Sequence, residues 1–344
     1  MNAQEGGGTI TLGNGDQDSV IASYSGGSTV TLGNGDNDTV SAGRTSNDTI
    51  ILGNGDGDSI GASDGTIGTN DRIILGNGDG DSAFVGVSGA NVKIGNGDND
   101  LVSGGIVGAP STISLGNGSN DQINIAFNGG NGSVITVGNG ADDMVTVADA
   151  NSGITFILGK GAGDAVSVID NQSDTITLGN GVSDSVVVSS STTNFDGSET
   201  TISSAHDAIS LGNGAHDTVT ADGDSYDTIT FGNGAGDTAS TSGGQNETVT
   251  FGNGAGDTLD AMSNAGAPFS NNAITFGNGD GDTVNASNGE ADNNIIHFGS
   301  GAGDVVSLAG SELVSNAITL GNGAGDMVSS LGGQPKAMLL PLRF

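Results

Sequence analysis

The sequence predicts an all-β chain wound as a parallel β-solenoid, a flat two-layer roll of about 15 coils with 20 to 22 residues per coil. Three observations point there. Gly-Asn-Gly, twice with Lys160 or Ser300 for the asparagine, recurs fifteen times, with first glycines at Gly13, Gly33, Gly53, Gly76, Gly95, Gly116, Gly138, Gly159, Gly179, Gly212, Gly232, Gly252, Gly277, Gly299 and Gly321. The mean spacing is 22 residues, a period at which each repeat stacks only on its neighbours. Apolar residues stand at fixed offsets from these glycines. Finally, 65 of 344 residues are glycine, 3% are aromatic and none is tryptophan, too little bulk for a thick globular core.

The elements follow in chain order. Residues 1–8 form an N-terminal segment, and the repeat domain spans 9–333. Three residues before each first glycine stands Ile, Val or Phe, and one before it Leu, Phe, Ile or Val, mostly with Thr or Ser between. This period-two alternation predicts a short leading strand with one face inward. Gly-Asn-Gly-x-x-Asp then makes a turn. Seven residues after the glycine a second inward position (Val20, Val40, Ile60, Val102) opens a trailing strand, followed by a looser second turn such as Ser23 to Ser28. The core expected is thin, of Ile, Val, Leu and Ala. The 33 residues between Gly179 and Gly212 imply a loop insertion near 189–204. The tail 334–344 leaves the repeat, and the first eight residues offer no apolar cap.

Aspartate stands five residues after the first glycine in every copy: Asp18, Asp38, Asp58, Asp81, Asp100, Asp121, Asp143, Asp164, Asp184, Asp217, Asp237, Asp257, Asp282, Asp304 and Asp326. In coils stacked ~4.8 Å apart these carboxylates form a file. Neighbours in it repel by about 3.5 kcal/mol at an effective dielectric of ~20. Hydrogen bonds from turn N–H groups, protonation or shared cations could relieve this. An exposed edge disfavours protonation at neutral pH. Calcium suits best, because it takes six to eight oxygens, including carbonyls that a glycine-rich turn can present. Histidines 206, 216 and 297 do not cluster and there is no cysteine, which leaves little for a transition metal.

Gly53-Asn54-Gly55-Asp56-Gly57-Asp58-Ser59-Ile60 and Gly33-Asn34-Gly35-Asp36-Asn37-Asp38-Thr39-Val40 resemble the haemolysin-type, or RTX, calcium-binding nonapeptide Gly-Gly-x-Gly-x-Asp-x-apolar-x. The resemblance covers residues 8 to about 333. It implies a parallel β-roll with Ca2+ held between successive turns by the fifteen aspartates and by carbonyls of turns that begin at the fifteen glycines. The pattern departs in having Asn for the second glycine and in moving the glycine of position four to position three. The family carries calcium turns on both edges. Here the second edge is acidic only in part, so a possible second row comprises Asp48, Asp71, Asp174, Asp207, Asp227 and Glu247, with Asn272, Asn294 and Asn316 later. Six copies add an aspartate three after the glycine (Asp16, Asp36, Asp56, Asp79, Asp98, Asp280), either solvated surface charge or a further ligand.

A formal charge of −34, from 40 acidic and six basic residues, disfavours nucleic acid and anionic membrane surfaces. No stretch is long and apolar enough for a membrane span, so insertion is not expected. Lys160 sits in a substituted repeat and not a phosphate loop. The scattered cations, Arg44, Arg72, Lys93, Lys160, Lys336 and Arg343, disfavour a polysaccharide-acting β-helix enzyme, and no enzyme activity is expected. Thr-x-Thr pairs occur in five coils, at 9/11, 29/31, 175/177, 228/230 and 248/250, too broken a row for ice binding. What remains is an extracellular, calcium-binding structural solenoid, a rod about 70 Å long at ~4.8 Å per coil. Its open ends would join head to tail into a filament or surface layer. The alternative is a monomeric secreted adhesin or spacer module, which could meet cell-surface or matrix polysaccharide. Residues 1–8 lack the pattern of a cleaved signal peptide, and the resemblance implies type I-like export to the cell surface or medium, with the tail as cap, joining segment or export signal.

Overall fold

The computed structural model describes residues 2–3, 8–22, 26–42, 46–61, 69–86, 88–148, 153–169, 173–189, 206–222, 225–241, 244–262, 269–287, 291–309, 313–331 and 337–339. Most of the insertion near 189–204, and the tail apart from 337–339, lie outside the described residues. Among the described residues, fifteen leading strands precede the fifteen glycine turns and the ladders are parallel. The chain is a parallel β-roll. It divides into two compact units, Met1–Ser167 and Val168–Phe344.

In the first unit the leading strands run from Thr9–Thr11 to Thr155–Ile157 and stack in chain order in one sheet. The trailing strands from Ser19–Ala22 to Met144–Ala148 form the other sheet. Register follows the repeat without slippage: Ile10 faces Val30 and Val30 faces Ile50. Slippage by one residue would turn every inward side chain to solvent. β-Branched Thr, Val and Ile fill these short strands because they suit a pleated, half-buried surface. Inside the outermost coils the two apolar offsets of the leading segment point inward, as Val30 and Leu32 or Ile73 and Leu75 show, each at most 2% exposed.

The second unit repeats this arrangement, with leading strands from Thr175–Thr177 to Leu313–Thr319 and trailing strands from Ser185–Ser189 to Met327–Leu331. Its core differs from the aliphatic one expected. Phe231, Phe251, Phe276 and Phe298 occupy the same inward offset in successive coils and stack with centroids 4.6–4.8 Å apart and planes within 6°. The coil spacing thus sets the ring spacing. A short third ladder also appears here, Phe269–Ser270 to Ala291–Asp292 to Leu313–Val314, although the sequence shows no third alternating segment.

Both ends add a short strand that the repeat pattern does not predict. Asn2–Ala3 is a strand that continues the trailing sheet against Ile21 and Ala22. Of the tail, only 337–339 are described, and Ala337–Leu339 extends the leading sheet beyond Leu313–Thr319, with a bulge between Val314 and Asn316. Sequence periodicity misses both, since neither segment carries the glycine turn by which the coils align.

Phe276→Ala, in the middle of the ring stack, should cost about 3–5 kcal/mol by denaturant titration of the folded protein. Thr275→Ala, on the outward face, should stay within about 0.5 kcal/mol.

Candidate metal centre

The first turn is built by close approach between coils. The first and third glycines of each turn lie against the same glycines one coil back: a Cβ on Gly53 would fall on the carbonyl oxygen of Gly33, and a Cβ on Gly55 on that of Gly35. Any side chain there would force the coils apart, which is why both positions are invariant along the chain. The residue before the aspartate holds a left-handed conformation, φ 59° at Asn37, 70° at Gly57 and 61° at His216, for which Gly and Asn are best suited.

This turn aims the aspartate inward. The carboxylates from Asp38 to Asp304 in the file are buried, at no more than 1% exposure, whereas Asp18 and Asp326 in the outermost turns are half-buried. The expectation of an exposed edge is therefore wrong: the turn curls over its own acid. In thirteen of the fifteen, Oδ1 accepts a hydrogen bond from the backbone N–H of the aspartate one coil earlier. Asp38 receives it from Asp18 at 2.8 Å, Asp58 from Asp38 at 2.9 Å and Asp81 from Asp58 at 2.9 Å. In the second unit Asp217 receives it from Asp184 at 3.0 Å and Asp326 from Asp304 at 3.2 Å.

Hydrogen bonding thus satisfies one oxygen. The other, Oδ2, is shielded from water and has no hydrogen-bond partner in Asp38, Asp58, Asp81, Asp100, Asp121, Asp143, Asp217, Asp237, Asp257, Asp282 and Asp304. Burial is the main cause that pushes these acids up, opposed by the backbone hydrogen bond; for most, neighbouring carboxylates push in the same direction as burial. Asp58, Asp121, Asp217 and Asp282 reach about 6, Asp81, Asp143 and Asp257 about 7, and Asp100 about 8. A buried anion with an unsatisfied oxygen is costly, and a proton or a cation relieves it. Among the described residues no three acidic or histidine side chains converge on one point. A cation here would be shared by successive carboxylates and completed by backbone oxygens, a donor set that suits calcium and poorly suits transition metals.

The described part of the second turn is as regular as the first. It repeats the device, with a left-handed residue, such as Asn47, Asn70, Ser173, Tyr226 or Asn246, followed by a buried acceptor. Asp48, Asp71, Asp174, Asp207, Asp227 and Glu247 all occupy this slot and are buried. Their ladder runs in the same sense, from Asp174 N–H to Asp207 at 2.7 Å and from Asp207 N–H to Asp227 at 2.9 Å. Asp207, pushed up to about 6 by burial, also has a shielded Oδ2 without a hydrogen-bond partner. Asn272, Asn294 and Asn316 continue the file, and Glu247 N–H donates to Asn272 at 2.8 Å. Sequence reasoning missed Ser111 and Ser133, which fill the slot with neutral hydroxyls that accept at 3.0 Å. The signal was available: every member lies five residues before a first glycine, as the main file lies five after it.

Two further ladders run on the exposed side of the first turn, in the opposite sense. Asn54 N–H donates to Asn34 Oδ1 at 3.0 Å, and the asparagine amides bond to each other along the stack. Lys160 N–H keeps the backbone bond, to Asn139. The optional acids do likewise: Asp56 N–H donates to Asp36, Asp79 to Asp56 and Asp98 to Asp79, at 3.0–3.1 Å. These carboxylates are exposed, so water can solvate their remaining oxygens.

Acids raised by folding bind more protons in the fold than in the unfolded chain between pH ~4 and ~8, so without metal the stability should fall as pH rises through that window. Circular dichroism in chelator should show more β-structure at pH 5 than at pH 8, and calcium should abolish the difference. Asp100→Asn keeps the Oδ1 acceptor and removes the charge. It should stabilise the metal-free protein at pH 8, by at most about 3.5 kcal/mol per relieved neighbour, and lower the number of ions bound. Asp56→Ala, at the exposed ladder, should leave ion binding unchanged by titration calorimetry. No family model, no curated protein and no solved structure matches the chain.

Proposed function

We propose that the chain is a non-enzymatic structural protein of the cell exterior, a β-roll stapled by calcium that joins end to end into a filament or layer. One observation carries the calcium reading: a file of buried aspartates, each with one oxygen hydrogen-bonded and, in eleven of them, a second that is dry and unpartnered. In this reading, successive members of the file hold Ca2+ between coils with help from turn carbonyls. When bound, the ion supplies charge neutralisation and cross-linking of coils; it takes part in no reaction.

The residues divide the work. Asp Oδ1 fixes the register of each turn on the next, Oδ2 faces the cation, and the paired glycines let the coils approach. Ser111 and Ser133, and the later asparagines, satisfy the second edge without charge, so metal there would be confined to the acidic stretches Asp48–Asp71 and Asp174–Glu247. Calcium outside cells is abundant enough for weak sites to fill. The chain would therefore be extended by its own charge inside the cell and fold on export.

The purified protein in chelator at pH 7.5 should lose most of its β-sheet signal and regain it with millimolar calcium. A chelated protein that keeps its full signal and holds no metal by mass spectrometry would remove the ion from the reading. Electron microscopy in calcium should show filaments; isolated short particles would favour a spacer module instead.

A further inference from the structure

The first unit begins with half a coil and the second unit ends with half a coil, and the halves are complementary. Asn2–Ala3 adds a trailing strand one step before Ser19–Ala22. Among the described residues nothing accompanies it in the leading sheet, whose outermost member, Thr9–Thr11, pairs with Thr29–Thr31 alone. The far end is the converse. Ala337–Leu339 adds a leading strand beyond Leu313–Thr319, while the trailing sheet's last described member is Met327–Leu331, paired to Val305–Ala309. Among the described residues each end therefore presents one strand that projects and one edge a step behind it, each a template for a further parallel strand.

We propose that the projecting strands of two copies interlock as one composite coil. Ala337–Leu339 of one copy lies against Thr9–Thr11 of the next, and Asn2–Ala3 of that next copy lies against Met327–Leu331 of the first. The partner is a second copy of this chain, and the proposal rests on the assembling role above. Strand polarity selects this arrangement: every ladder is parallel, so only head-to-tail addition continues both sheets, and such a contact is heterologous and propagates. The two strands do not compete for one place, because one belongs to the leading sheet and the other to the trailing sheet. Charge agrees as well, since Lys336 and Arg343 are two of only six cations in the chain, while the first 18 residues hold Glu5, Asp16 and Asp18 and no Lys or Arg.

The register is determined. Leu339 stands opposite Ala317, four residues before Gly321, and Thr9 stands four before Gly13, so Leu339 of one copy should face Thr9 of the next. Asn2 stands opposite Ile21, eight residues after Gly13, and Ser329 stands eight after Gly321, so Asn2 should face Ser329 of the preceding copy. Parallel partners ~4.8 Å apart lie within the Cα separation a disulfide accepts.

The chain has no cysteine, so single substitutions report unambiguously. Full-length Asn2→Cys mixed with full-length Ser329→Cys in calcium under mild oxidation should give a disulfide-linked dimer as the main product on a non-reducing gel. So should Thr9→Cys mixed with Leu339→Cys. Each variant alone should give less than a tenth as much, and Asn2→Cys mixed with Leu339→Cys should give none above that background. Filaments by electron microscopy without cross-linking in either matched pair would overturn the composite coil and leave end-to-end assembly standing. Cross-linking by one variant alone would overturn it in favour of a two-fold contact. Monomers in calcium with no cross-link would overturn both the composite coil and the assembling role.

Discussion

The repulsion within a buried row of like charges is the constraint on which the rest of this molecule depends. Stacking coils at strand spacing brings one aspartate per coil into file, and the turn encloses that file instead of opening it to water. A hydrogen bond from the preceding coil satisfies half of each carboxylate. The remaining oxygen converts an architectural repeat into a demand for a proton or a cation.

The same turn shows how two requirements are met by one short motif. Glycines at the first and third places allow carbonyls of one coil to approach the next, and the left-handed residue before the aspartate swings the acid inward. The asparagine between the glycines, exposed, bonds along the stack in the sense opposite to the aspartate ladder. Each turn is thus tied to the coil before it by its acid, which accepts that coil's N–H, and to the coil after it by its asparagine Oδ1, and both ties require identical spacing from coil to coil. This explains why Lys160 is tolerated: it loses the side-chain link but keeps the backbone bond.

The second edge is chemically mixed where the first is uniform. Aspartate, glutamate, asparagine and serine succeed one another in one slot, and alanine fills it at Ala90. A buried acceptor is enough to anchor the turn, whereas a buried charge is not needed for that. Uniform charge on the first edge is more than anchoring requires, and the calcium proposed above would account for it.

Much of this is legible in the sequence. The fifteen glycine turns, the period-two strands and the parallel roll follow from local spacing, because every coil repeats the same short-range steric and hydrophobic problem. The alignment of the acids into a file follows as well, since equal offsets in stacked coils must coincide. Direction does not follow. Whether Asp58 points to water or into the turn depends on the left-handed Gly57 before it and on the coils above and below. Nor could periodicity reveal that Asn2–Ala3 and Ala337–Leu339 join the sheets, because backbone pairing accepts almost any side chain. Sequence determined the repeat; tertiary stacking decided which groups it buries and which edges it leaves open, since burial and pairing are properties of neighbouring coils and no single coil possesses them.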